Sequence, residues 1–544
     1  MPLGGLGEVG KNMTVIEADE GLVVIDAGLA FPRDEHLGVD LVLPDFGYLR
    51  EQEESIRAII LTHGHEDHVG ALPYVMREVR VPRILAARFT LGLVKSKLDE
   101  HGLGRAADFV EIGPDRDAVS IGPFSARFVR VAHSIPDALA VVLDTPGGRI
   151  VHTGDYKIDH TPVDGFRTDV TGLAALGEEG VDLLLGDSTN AERPGFTPSE
   201  RRVGEAFREI IPQQDGRVLI ASFASNVHRM QQAMDVAVET GRRVCVVGRS
   251  LRKNLNIARN LGYVDMPADV VQKPADLSDI APCETMILCT GSQGEPLSAL
   301  TRIAYGGHPH ISVDPGDTVI ISAKAVPGNE LRVHDTINQL TRAGATVLHE
   351  ETSPIHVSGH GNAEELRMML GLLKPRAVMP VHGEFRMLSA HARLARQVGV
   401  DADQIILAEN GTVVELTDDG PAVVGRVGAG MTFVDGLGVG DVKDVALRDR
   451  RHLSEHGVLI VVATLVRDES RALAPPEVIA RGLSELEDLV DETRDEADEI
   501  LRACLADGAA EHKLIQEHLH DELGRFLADR TGRRPMILPI VIEV

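Results

Sequence analysis

Short aliphatic runs separated by polar loops fill the first 190 residues, and the runs are too short for helices. Runs of this length, rich in β-branched and aliphatic residues, predict buried strands. The clearest are Leu22–Ile25, Ala58–Leu61, Phe128–Val131, Arg149–Val151 and Val181–Leu185. From about residue 200 the text changes to strand followed by helix. Arg217–Ala221 precedes a helical stretch at 226–240, Arg243–Val247 precedes another, and Thr285–Cys289 and Thr318–Ser322 follow. That alternation predicts a separate α/β insert. Residues 359–440 return to β-rich text, with Ala377–Val381 and Thr412–Leu416 as strands. A loop-like connection is expected over 441–453, then a strand at 457–464, two helices and a last strand, Met536–Ile542.

A length of 544 residues exceeds what one core supports, so two or three domains are expected. With 43% apolar and 25% charged residues the chain reads as globular and not disordered. No run reaches the roughly 18 to 20 apolar residues of a membrane span, and the Gly-rich start, Met1 to Lys11, lacks the pattern of a secretory signal. Cys245, Cys283, Cys289 and Cys504 are far apart, with no C-x-x-C pair. A reducing cytoplasm is the expected setting.

The net charge of −28 argues against a nucleic-acid partner unless the acidity lies away from the site. Much of it does. Nine acids fall between Glu485 and Glu499, where Leu483, Leu486, Val490, Ala497 and Leu501 recur at helical spacing. Those acids read as the wet side of an amphipathic helix. Conversely, residues 241–260 carry Arg242, Arg243, Arg249, Arg252, Lys253 and Arg259 with no acid among them. A phosphate-binding surface and a merely solvated helix face explain that run equally well.

The strongest local signal is Thr62-His63-Gly64-His65-Glu66-Asp67-His68, directly after Ala58–Leu61. So many polar groups at the end of a buried strand would cost roughly 1–3 kcal/mol each if left without partners. A divalent metal supplies the partner. His63 and His65, two apart in an extended loop, can face one ion, and Asp67 and His68, opening a helix, a second. Asp26, His133, Asp155 and His382 each stand just past another apolar run, so strands sharing a sheet would bring them to one edge.

This H-x-H-x-D-H run, with His133, Asp155 and His382, resembles the metallo-β-lactamase superfamily. Met379-Pro380-Val381-His382-Gly383-Glu384 and His356-Val357-Ser358-Gly359-His360 resemble its β-CASP nuclease branch, whose first acidic motif Asp187 matches. Pro2 to Gly10, Ser222-Phe223-Ala224-Ser225-Asn226 and Val326-Pro327-Gly328-Asn329-Glu330 narrow the resemblance to the bacterial ribonuclease J family, over essentially the whole chain. The resemblance implies an α/β fold: an αββα sandwich at 1–200 and 358–440, a β-CASP domain inserted at 201–357, a linker at 441–453 and a small α/β domain at 454–544.

It also implies one zinc on His63, His65 and His133, a second on Asp67, His68 and His382, and Asp155 bridging both. Asp26 would orient ligands. Manganese fits the same ligand types. Asp40 and Asp435 match positions of a structural calcium. Two ions sharing a water could hydrolyse a phosphodiester by in-line attack, with His360 contacting the phosphate or leaving oxygen and Asp187 orienting it. Single-stranded RNA would lie on His356, Val357, Ser358, Gly359 and His360, its 5′-monophosphate at Ser225 and Asn226, with Phe46 stacking a base. The resemblance implies 5′-to-3′ exonuclease and internal cleavage in mRNA decay and rRNA maturation, a homodimer or tetramer, and helicase or other RNA-decay partners. A DNA-directed nuclease of the same branch and a non-catalytic RNA-binding scaffold are the rival readings. Intact ligands argue against the scaffold, and the long insert argues against small-substrate hydrolases.

Overall fold

The computed structural model describes all residues except 34, 268, 327, 418, 437, 441–443, 467–470, 483–488 and 507–510. Two six-stranded sheets face each other. In the first the order is Pro2–Gly4, Met13–Ala18, Gly21–Ile25, Ile56–Ile60, Arg83–Ala86 and Asp108–Glu111, antiparallel at the start and parallel from Gly21–Ile25 onward. In the second it is Ala377–Val381, Leu183–Asp187, Gly148–His152, Leu139–Thr145, Phe124–Arg130 and Val119–Ile121.

Strand side chains alternate between faces, so each sheet serves two cores. Val23, Ile25, Ala58 and Ile60 meet Phe124, Ala126, Phe128 and Val141 between the sheets. Val129, Val131, Ala140, Val142 and Leu184 point the other way, onto helices Val170–Glu179, Ala363–Leu373 and Phe385–Gln397. Helix Arg88–Glu100 packs on the first sheet at Arg83–Ala86 and Asp108–Glu111. The expected αββα sandwich is what the chain forms.

The insert is a third, wholly parallel sheet, in the order Val271–Gln272, Arg243–Val247, Thr285–Cys289, Val218–Ala221, Thr318–Ile321 and Thr346–Leu348. Val218, Ile220, Val244 and Val246 face helices Arg201–Ile210, Val227–Glu239 and Arg249–Leu261. Leu219, Ala221, Cys245 and Val247 face helices Ala299–Ala304 and Glu330–Arg342. The insert interrupts a single parallel pairing: Leu183–Asp187 runs beside Ala377–Val381, with Asp187 opposite Val381.

The chain divides into two compact units, Met1–Phe31 with Leu41–Thr432, and Pro32–Asp40 with Phe433–Val544. The second holds a three-stranded sheet, Glu477–Arg481, Val458–Leu465 and Met536–Glu543, whose buried face packs on helices Val490–Ala506 and His512–Thr531. Ala497 and Leu501 are buried as the helical spacing requires, whereas Leu483 and Leu486 lie outside the described residues. The loop expected over 441–453 is instead a helix, Asp444–His456, and its first three residues lie outside those described. Few apolar residues mark that helix; it has neither Gly nor Pro, and an Arg451–Glu455 pair one turn apart supports it. The text read as β-rich over 359–440 also contains the helices Ala363–Leu373 and Phe385–Gln397.

Candidate metal centre

Strand ends build the site. Parallel pairing sets Ile25 opposite Ile60, so Asp26 emerges beside Thr62. The Thr62 main-chain N–H donates to Asp26 Oδ1 at 2.8 Å, and the Thr62 hydroxyl is 2.8 Å from Oδ2. Asp26 holds a positive φ of 64°, which Asp tolerates better than most residues. His63 and His65 follow in the loop, and Asp67 and His68 lie on the short helix Glu66–Val69. His133 follows Phe124–Arg130, Asp155 follows Gly148–His152 through Gly154 at φ 57°, and His382 follows Ala377–Val381.

The seven expected ligands come together in two groups that share Asp155. In one, His65 Nδ1 lies 3.0 Å from His63 Nε2 and 3.1 Å from His133 Nε2, while Asp155 Oδ2 is 3.6 and 3.7 Å from those two nitrogens. In the other, His68 Nε2 is 3.6 Å from Asp67 Oδ2 and 3.3 Å from Asp155 Oδ2. His382 Nε2 is 3.3 Å from Asp67 Oδ2 and 3.6 Å from Asp155 Oδ1. These are separations that ligand atoms adopt around an ion with bonds of about 2.0 Å.

Asp155 supplies the test of fit. Both its carboxylate oxygens are buried and neither has a hydrogen-bond partner among the described residues. A buried carboxylate without donors is strongly disfavoured unless a cation meets it. Two imidazole-and-carboxylate groups around one such carboxylate suit a pair of divalent ions.

The imidazoles split electrostatically. Burial, reinforced by neighbouring His68, holds His63 well below the usual histidine range; burial and His65 do the same to His133, and burial brings His65 down to about 4. These three stay neutral at pH 7 and ready to donate a lone pair. At His68 burial also opposes charge, but Asp155, Asp67 and Asp26 outweigh it and raise the imidazole well above its ordinary value. His382 is raised likewise, against burial, chiefly by Asp155. Coulomb attraction to His68 overrides burial and depresses Asp67, and attraction to His360 does so at Asp187.

A surrounding layer fixes the ring orientations. Asp26 Oδ2 takes the Nδ1 side of His68 at 2.7 Å, leaving Nε2 for the centre. Gly359 O does so for His133 at 2.7 Å, and Thr189 Oγ1 lies 2.7 Å from His382 Nδ1. Asn12 Nδ2 donates to the Asp67 main-chain oxygen at 3.0 Å. Thr62, Thr189, Asn12 and the Gly359 carbonyl are not foreseen in these roles by the sequence reading. For Thr62 the signal was adjacency to the histidine run; a main-chain carbonyl leaves no signal at all.

His360 approaches from the third side. Its Nδ1 is 2.8 Å from Asp187 Oδ2 and its Nε2 3.8 Å from Asp155 Oδ2, so Asp155, Asp187, His360 and His382 form a further potential ligand group. Burial lowers His360, yet Asp187 and Asp155 raise it above the ordinary value. The Ser358 hydroxyl accepts from Asn190 Nδ2 at 2.9 Å and from the His360 N–H at 3.1 Å.

Behind this segment lies Arg229, a wholly buried side chain with no part in the expected site. It clasps Glu200 with two hydrogen bonds of 2.8 and 2.9 Å, donates to the carbonyls of Ser322 and Val357, and lies 3.0 Å from His356 Nδ1. Burial and the adjacent Arg229 hold His356 well below its ordinary pKa. Val357 is buried too. Asn226 is buried and caps helix Val227–Glu239 through its side-chain oxygen, with Ser225 half-buried beside it.

One expectation fails. Phe46 does not offer a face to a base: it is 0% exposed, with the Arg50 guanidinium 4.8 Å from its ring centroid. Aromatic loop residues pack when a neighbouring core accepts them, and here it does. At the positions matched to a calcium, Arg450 engages Asp435 and the Gly436 N–H donates to Asp40 Oδ2. Pro327 lies outside the described residues.

Four family profiles cover the chain in order: the metallo-beta-lactamase superfamily over 6–191, the Ribonuclease J beta-CASP domain over 215–340, the Zn-dependent metallo-hydrolase RNA specificity domain over 348–404, and the Ribonuclease J C-terminal domain over 445–544. Ribonuclease J 1 of Streptococcus pyogenes is 42% identical, over 99% of this chain and 96% of its own length. The chain belongs to the ribonuclease J family. Other members of that family align as fully: Ribonuclease J2 of Bacillus subtilis is 40% identical over 100% of this chain and 98% of its own length, and Ribonuclease J of Thermus thermophilus 43% over 100% and 95%. A protein of unknown function from Enterococcus faecalis shares the fold, with a TM-score of 0.53 at 15% identity, covering 77% of this chain and 98% of that one. The RNA-specificity profile of the family takes in both the 356–360 segment and His382. Among the described residues no helix is long and apolar enough to cross a membrane.

Proposed function

We propose that this chain is a metal-dependent ribonuclease that hydrolyses single-stranded RNA from a 5′-monophosphate end, with internal cleavage where no such end is engaged. The observation that carries the reading is one orphaned, buried carboxylate, Asp155, shared by two ligand groups. Zinc or manganese would occupy them, one ion on His63, His65 and His133, the other on Asp67, His68 and His382. What two such ions supply when bound is Lewis acidity towards water and phosphate.

The chain's own groups do the rest. Asp26, the Gly359 carbonyl and Thr189 hold three imidazoles with Nε2 inward, so the centre is set before substrate arrives. His360, gripped at Nδ1 by Asp187, presents Nε2 beside Asp155, placed to give a hydrogen bond or a proton to the departing oxygen. Ser358 and the 356–360 main chain would bind the RNA backbone, and Ser225 with Asn226 the terminal phosphate. Roles in mRNA decay and rRNA maturation, in the cytoplasm, as a homodimer or tetramer with helicase partners, accord with that chemistry.

The test is one labelled RNA prepared with a 5′-monophosphate and with a 5′-triphosphate, beside a single-stranded DNA of the same sequence. Release of mononucleotides from the monophosphate form, with the DNA left whole, is expected. Equal rates on both RNA forms with only internal products would overturn the exonuclease reading, and preferred cleavage of the DNA would overturn the ribonuclease reading.

A further inference from the structure

The acid-free stretch at 241–260 resolves into unlike parts. Arg242 is buried, its guanidinium spent on the carbonyls of Gly216, Thr285, Ile211 and Gln214. Lys253 pairs with Glu100 at 2.8 Å. Arg249, Arg252 and Arg259, on helix Arg249–Leu261, are exposed and make no side-chain hydrogen bond or ion pair among the described residues. At spacings of three and seven they fall on one stripe with exposed Asn256, beside the buried face of Leu251, Leu255 and Ala258. On a chain of net charge −28, three unpaired guanidiniums in line without a carboxylate on their helix form a surface made for a polyanion.

The stripe also has a direction. Strands Arg243–Val247, Val218–Ala221 and Thr318–Ile321 belong to one parallel sheet, so they end at the same edge. That edge is tied to the 355–360 segment, by Ser322 Oγ to the Ile355 carbonyl at 2.5 Å and by Arg229 to His356. Arg249 opens its helix there. From Arg249 to Arg259 the helix runs about 15 Å away from that edge.

We propose that this stripe is a docking track for single-stranded RNA, holding the phosphates of the strand that trails from the metal centre. The inference rests on the ribonuclease reading for its choice of polyanion. Guanidinium contacts to phosphate are indifferent to sequence, so the track would add affinity for length without adding specificity.

The experiment compares the wild-type holoenzyme with R252E/R259E, which leaves the buried face of the helix untouched. Binding of a cleavage-resistant phosphorothioate RNA of thirty nucleotides is followed by anisotropy across salt concentrations, and hydrolysis of a 5′-phosphorylated trinucleotide is followed separately. We expect binding of the long RNA to weaken about tenfold at low salt, and its log–log salt slope to flatten by about 1.4 for two lost phosphate contacts. Trinucleotide hydrolysis should be unchanged. Should charge reversal impair folding, R252Q/R259Q reads the same quantities. Wild-type-like affinity and slope for the long RNA would overturn the track, as would an equal loss on the trinucleotide. Failure of the wild type to cleave any RNA would sink the ribonuclease reading instead, while the binding arm still decides whether the stripe holds a polyanion.

Discussion

The main-chain oxygen of Gly359 receives the Nδ1 side of His133 across 2.7 Å. The two residues stand on opposite sides of the inserted domain in sequence, so the return from the insert orients the ring of a histidine laid down long before it. Gly359 is also sterically required: a Cβ there would lie 2.6 Å from His133 Cε1 and 2.7 Å from Ser134 Oγ. Gly359→Ala is therefore expected to weaken metal retention by about 10- to 100-fold. Competition against a graded chelator measures it, and unaltered retention would show that the carbonyl does not govern the ligand.

Asp26 is predicted to act chiefly on the ion site of His68, which it touches directly, and on His63 only through Thr62. Asn can adopt the same positive φ, so Asp26→Asn keeps the backbone but removes one of two acceptor oxygens serving Thr62 and His68. Metal content should fall from two ions per chain towards one, with turnover down at least about tenfold. Two tightly held ions in the variant would refute this.

His360 is expected to separate chemistry from metal binding. The two primary ligand groups are complete without it, so His360→Ala should retain both ions while kcat falls by about 10²- to 10⁴-fold. Loss of an ion in this variant would instead assign His360 to coordination within the group it forms with Asp155, Asp187 and His382.

The gathering of the candidate side chains was legible in the sequence, and what aims them was not. His63, His65, Asp67 and His68 crowd into one loop, and His133, Asp155 and His382 each follow a recognisable strand, so type and position both spoke. Gly359 contributes a carbonyl that every residue possesses. Arg229 reads as one more basic residue on a helix until tertiary packing buries it against Glu200. Phe46 misled for the same reason, because a loop aromatic declares neither core nor surface until its neighbours are placed. The helix Asp444–His456 escaped detection since its apolar positions are too few to impose a period.

Arg229 gives a two-part prediction. Arg229→Met strands the buried Glu200 carboxylate and should cost about 3–5 kcal/mol of stability. Adding Glu200→Leu should recover most of that, as apolar replacement of buried pairs often does. RNA turnover should stay depressed in the double variant, since the Val357 carbonyl and His356 still lack their donor. Recovery of turnover along with stability would reduce Arg229 to a structural filler.

His391 should make stability fall with acid. It is buried, with Nδ1 3.0 Å from Ser188 Oγ, and burial pushes it down to about 4 against the pull of Asp187. An unfolded chain takes up that proton near 6.5 and the folded one only near 4, so the folded state loses ground as pH drops between those values. The full loss is about 3 kcal/mol. Melting temperatures at pH 7.5 and 5 should drop less for His391→Gln than for the wild type; identical drops would show that this ring does not set the dependence.

The pairing of Leu183–Asp187 with Ala377–Val381 has a consequence for how the enzyme is born. His63, His65, Asp67, His68, His133 and Asp155 leave the ribosome early, whereas His382 emerges 227 residues after Asp155. At cellular elongation rates that interval lasts on the order of ten seconds or more. A nascent chain can thus bring together six of the seven expected metal-binding side chains while His382 does not yet exist, and that residue arrives only with Ala377–Val381, the strand that completes the second sheet. Chemistry that needs His360 or His382 can therefore begin only after the inserted domain has been synthesised.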